Sequence, residues 1–132
     1  MTAGLAPSLV SGWLNTLRST GTAYTAVAGT FAQLHTGDPG AAGTSNVSVG
    51  STTRNSFTFA ASTSGSALTL SAAPAAWTNG GTSETLTHIS VWTAASGGTF
   101  LFSAALTASK AWASADTFEL SAFSASLSPQ SS

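Results

Sequence analysis

Cysteine is absent from the chain, so no disulfide framework, thiolate metal site or cysteine nucleophile can be built from it. Charge is almost absent too. Three basic residues (Arg18, Arg54, Lys110) and four acidic ones (Asp38, Glu84, Asp116, Glu119) make up 5% of the sequence, against roughly 25% in ordinary soluble domains. Three cations cannot form a basic patch, and nucleic-acid binding draws most of its affinity from neutralised phosphates, so no nucleic-acid partner is expected. The same shortage argues against a membrane-surface site, and no apolar run approaches the length of a bilayer span. Residues 1–7 carry no basic segment, and the first apolar cluster is only a few residues long before Arg18. No signal peptide is therefore expected, and the protein is expected to be made and assembled in a cytoplasm.

What remains is small and neutral. The 132 residues amount to one domain, with a helix expected over 7–19, a β-domain over 30–127 and a polar tail at 128–132. Ser and Thr together make about a third of the chain, and Ala supplies much of the 42% apolar content. Such a composition has little self-repulsion and suits a packed assembly. A disordered Ser/Thr-rich stalk is the competing reading. It is rejected because four Trp, seven Phe and a regular strand pattern supply apolar surface that disordered segments lack.

In residues 7–19 (PSLVSGWLNTLRS), Leu9, Val10, Trp13, Leu14 and Leu17 recur at three- and four-residue steps and form one apolar stripe. Pro7 suits the first turn and Gly21 a stop. Two roles are open to this helix: covering an end or edge of the sheet, or docking its stripe on a neighbouring subunit. Residues 30–36 (TFAQLHT) alternate as a strand and stop at Gly37-Asp38-Pro39-Gly40, a dense set of turn formers. Residues 41–52 read as an exposed loop. Residues 53–60 (TRNSFTFA) read as one strand with Phe57 and Phe59 inward and Arg54 in water; 67–71 follow as another with Leu68 and Leu70 inward.

The clearest hairpin spans residues 85–106. Its first arm alternates Leu86, His88, Ser90 and Trp92 against Thr87, Ile89 and Val91, and Gly97-Gly98 supply the positive φ that a tight turn needs. The return arm is expected to put Phe100, Phe102 and Ala104 on one face. A short strand near 111–112, another over 116–122 and a last one over 123–127 complete the chain. Consecutive strands without intervening helices imply a mainly β fold: an antiparallel β-sandwich or jelly-roll-like barrel with one short N-terminal helix.

The titratable residues are too few for much chemistry. His35 and Asp38 are placed to orient one another. Glu84 and His88, four residues apart on a strand, are separated by roughly 13 Å and cannot share a metal or a proton within it. No metal site and no cofactor is expected. With no G-x-S-x-G, H-E-x-x-H or P-loop motif in a chain this rich in serine, a writable Ser/His/Asp triad carries no weight, and the chain is not expected to be an enzyme. Trp77, Trp92 and Trp112 stand near strand ends. They are read, with Trp13 and Leu17, as packing or subunit-interface residues; a sugar-stacking platform is the less favoured alternative, since only Asn79 lies close to any of them in sequence.

Residues 34–40 (LHTGDPG) and 87–102 (THISVWTAASGGTFLF) resemble a family of small virion proteins of tailed phages that infect actinobacteria and related hosts. Its members show a short N-terminal helix, an arginine in a Thr-rich stretch (here Thr52-Thr53-Arg54), a W-x-x-A-x-G-G hairpin and a G-D-T turn. This chain has Ala115-Asp116-Thr117 at that turn, without the glycine. The resemblance covers residues 9–127 and implies a phage structural protein. It is expected to be a decoration or minor capsid protein on the outer capsid surface, partnered by the major capsid protein and by itself as a homotrimer. A tail fibre or receptor-binding module is the alternative.

Overall fold

The computed structural model describes residues 3–18, 25, 27–62 and 67–126. Among them one helix and nine strands follow in the order α1 (Pro7–Asn15), β1 (Phe31–His35), β2 (Asn55–Ser56), β3 (Thr58–Phe59), β4 (Ala67–Ala72), β5 (Trp77–Thr78), β6 (Glu84–Trp92), β7 (Phe100–Trp112), β8 (Thr117–Phe118) and β9 (Ser124–Ser126). All pairings are antiparallel, giving a four-stranded sheet β2-β1-β6-β7, a three-stranded sheet β3-β4-β9 and a two-stranded ribbon β5-β8. The fold is mainly β and sandwich-like. Of the two arrangements expected it is the sandwich, and among the described residues no sheet closes on itself. The single strand expected over 53–60 divides at Phe57 into two-residue pieces, β2 joining one sheet and β3 the other.

The central strand is β6, paired on both edges. Its register with β1 sets Ala32 against Val91 and Leu34 against Ile89 on one face, and Gln33 against Ser90 and His35 against His88 on the other. The first face is apolar and fully buried. Phenylalanines join it to the three-stranded sheet: Phe102 of β7 stacks on Phe123 at 5.7 Å between ring centroids, Phe123 lies 5.5 Å from Phe59, and Phe57 meets Phe59 edge-to-face at 4.9 Å. Burial does not stop at this face. Gln33, His35 and Ser90 on the other side are also buried, beneath the segment that connects β1 to β2, and Ser103 is buried beside the N-terminal segment at Gly4. That segment was expected to be an exposed loop, yet Gly43, Ser48 and Gly50 within it are buried.

Two irregularities separate β7 from the simple return arm expected of the hairpin. Val91 pairs with Phe102 but Trp92 pairs with Phe100, so Leu101 is an extra residue. Phe100 and Phe102 therefore lie on opposite faces, not on one. Beyond His88–Ala105 the register slips again to Leu86–Lys110, and the piece expected as a separate strand near 111–112 is the far end of the same 13-residue β7.

Helix α1 ends at Asn15, short of the expected 19. Thr16 and Leu17 make tight backbone bonds to Trp13 and Leu14, and the Thr16 hydroxyl bonds the Trp13 carbonyl at 2.6 Å, so the last turn is over-wound and stops. The expected stop at Gly21 and the polar tail at 128–132 lie outside the described residues. The helix begins beside β7, where Ala6 donates to the Leu101 carbonyl at 2.6 Å and Ser103 to the Gly4 carbonyl at 2.9 Å. Of its apolar stripe Leu9 is buried and Trp13 half-buried against the core, while Leu14 is 60% and Leu17 82% exposed.

Candidate functional site

The polar face of the β1–β6–β7 sheet carries a directed chain of hydrogen bonds. The indole Nε1 of Trp92 donates to the Ser90 hydroxyl at 2.8 Å, and Ser90 Oγ lies 2.7 Å from His35 Nε2. His35 Nδ1 lies 2.8 Å from the Ser45 carbonyl. A carbonyl only accepts, so Nδ1 carries the proton, Nε2 accepts from Ser90, and the ring is the neutral Nδ1–H tautomer. Burial lowers the His35 pKa from 6.5, opposed by the bond to Ser45 and reinforced by the neighbouring His88 and Arg54. The Ser–His pair has the spacing of a nucleophile and its base. Both side chains, however, have no exposed surface, and every polar atom of the pair is engaged within the fold.

Arg54 lies beside this chain, not in water as its strand alternation suggested. Its guanidinium carbon sits 3.6 Å from the centroid of the Trp92 ring. Its Nε donates to Gln33 Oε1 at 3.2 Å, and Nη1 donates to the Ala94 and Gly97 carbonyls at 3.2 and 2.6 Å. Gln33 in turn donates to the Thr52 carbonyl at 3.0 Å. Desolvation lowers the Arg54 pKa, and the ring face and carbonyls offset that cost to the charge. One side chain thus ties the hairpin turn to the segment entering β2.

The other polar side chains act in the same way. Glu84 accepts from the Ser48 hydroxyl and from the backbone amides of Val49 and Gly50 at 3.1 and 3.0 Å, fixing the far end of the long loop. Asn79 donates to the Thr82 and Trp112 carbonyls at 2.7 and 2.8 Å and accepts from Gly81 at 2.8 Å. Asp38 and His35, expected to orient each other, are not bonded together: Asp38 Oδ1 accepts from Gly40 at 2.8 Å and closes the turn after β1. Among the described residues no group of three or more His, Asp or Glu is placed to hold a metal.

The remaining residues singled out from sequence are distributed through the fold. Trp77 and Trp112 are completely buried, their indoles donating at 2.9 Å to the Thr53 and Asp116 carbonyls; with Trp92 also buried, these three indoles form no exposed platform. Gly40, Gly97 and Gly98 hold positive φ, Gly37 packs against Asn46, and Pro39 is buried under the loop. Sequence reading named Ser90, Asn79 and Glu84 without assigning them these bonds, and it passed over Gln33. With so little charge in the chain, an acid or an arginine on a strand is a signal in itself, since nothing about solubility is served by a single one.

On the opposite side of β7 an open cleft of about 660 Å³ runs between the outer half of that strand and residues 118–124, with Leu70, Leu106, Phe118, Leu120 and Phe123 in its lining and Glu119 as its single charged lining residue.

The molecule is therefore a small antiparallel β module in which a few charged and amide side chains hold loops onto a two-sided sheet. Its sequence places it more narrowly: residues 7–128 match the Gp80 family, described as podophage GP4 fiber I protein gp80, and the chain belongs to that family. It is a phage structural protein. No curated protein matches the chain.

Proposed function

We propose that the protein is a fibre component of the phage virion, acting by assembly and contact with no catalytic step of its own. The observation that carries this reading is the match of nearly the whole chain to a family described as a fiber protein. The alternative expected from the sequence, decoration of the outer capsid beside the major capsid protein, is less favoured by that description. The structure supports a mechanical role: His35, Ser90, Arg54 and Glu84, the side chains with most chemical capacity, are all spent on internal bonds. The test is stoichiometry. Quantitative mass spectrometry of purified virions, referenced to the major capsid protein, is expected to give tens of copies or fewer, as symmetric fibres require. Hundreds of copies would return the protein to the capsid surface.

A further inference from the structure

Two surfaces of the molecule are left open in complementary ways. The last turn of α1 presents Leu14 and the turn that follows it presents Leu17, 60% and 82% exposed, with Arg18 immediately after. Covering two leucines as exposed as these removes apolar surface from water, which favours association with a partner that can take them. The cleft beside β7 is the reverse: a trough in which Leu70, Leu106, Leu120 and Phe123 alternate with small Ser, Thr and Ala side chains, with the exposed Glu119 as its one charged lining residue.

The charges point the same way. Asp38, Arg54, Glu84 and Asp116 are each held by bonds within the chain. Among the described residues only Arg18, Lys110 and Glu119 carry a charge with no internal partner, and two of these three flank the exposed leucines and the open cleft. The helix start is fixed to the edge of β7 at Leu101 and Ser103, so the exposed end is carried on an anchored element.

We propose that the end of α1 from one copy docks in the β7 cleft of a second copy, Leu14 and Leu17 entering the trough and Arg18 pairing with Glu119. The two surfaces differ and every copy has both, so the contact is head-to-tail and assembles a ring or an open string of subunits. The hydrophobic part supplies most of the affinity and the ion pair sets the register. This contact rests on the fibre reading and deepens it by naming how the subunits join. It is tested on purified protein without a virion, so either can fail while the other stands.

Sedimentation velocity over a concentration series, with circular dichroism melts as a control on folding, decides between docking and its absence. The wild-type chain is expected to form oligomers. Leu17→Ser is expected to raise the dissociation constant roughly tenfold or more, with an unchanged melting curve at concentrations too low for association. Arg18→Glu and Glu119→Arg are each expected to weaken association about fivefold, and the double swap R18E/E119R to restore it. A wild-type protein that stays monomeric at about 100 µM would overturn the proposal. So would unchanged association in Leu17→Ser, or a double swap that associates no better than the single variants. Should Leu17→Ser disturb the fold, the two charge variants and their combination are sufficient to decide.

Discussion

His35 is held neutral by what surrounds it: the Ser45 carbonyl fixes its proton on Nδ1, and the Ser90 hydroxyl, itself bonded by Trp92, needs Nε2 free to accept. Burial lowers its folded-state pKa below 6.5, so as pH falls the unfolded chain takes up the proton first. The contribution of this residue is thus complete above about 6.5 and is lost as pH drops from there towards the folded-state pKa. Melting temperature is expected to fall between pH 7 and pH 5, and His35→Gln to lower it at pH 7 while flattening that part of the pH profile; thermal melts across the range check both. Ala115 holds φ at +68°, a conformation that costs a residue with a side chain about 1 kcal/mol. Ala115→Gly is therefore expected to raise stability by about 0.5–1 kcal/mol in urea denaturation, against the usual trend for glycine substitutions. Positive φ at Gly97-Gly98 and Gly40 was legible from the turn chemistry alone, whereas the strain at Ala115 was not, since alanine carries no such signal.

Among the elements, the β6–β7 hairpin was the most legible, because strict alternation followed by paired glycines leaves few alternatives. Its departures were hidden for a physical reason. A bulge at Leu101 adds one residue to one strand and moves Phe100 to the other face, and no property of Phe100 itself announces this. The division of 53–60 at Phe57 was equally silent: both halves alternate correctly, and only the partner strands reveal that they belong to different sheets. Burial of the polar face was missed because the segment that covers it is made largely of Gly, Ser, Thr and Ala, which read as loop wherever they lie. Arg54 links these elements, gripping the hairpin turn through Ala94 and Gly97 while its guanidinium stacks on Trp92. Arg54→Ala is expected to cost about 2–3 kcal/mol of global stability. It should also speed amide exchange in residues 94–99 well beyond the change elsewhere, measured by hydrogen–deuterium exchange.

For the whole molecule, composition was the informative level. Low charge and the lack of cysteine pointed to a packed chain suited to assembly, and strand alternation pointed to β structure; the sandwich-like stack of antiparallel sheets agrees with the β reading. The site was less legible: the few titratable side chains lock loops, a use that depends on long-range pairing and leaves no local pattern in sequence. Which part of the virion the protein occupies follows from neither composition nor fold, and the family match is what favours the fibre. Electron microscopy of intact virions, labelled with gold-conjugated antibody raised against the purified protein, measures that position directly. Label is expected on fibres at the tail end with the head surface bare, and label distributed over the whole capsid would contradict the fibre assignment.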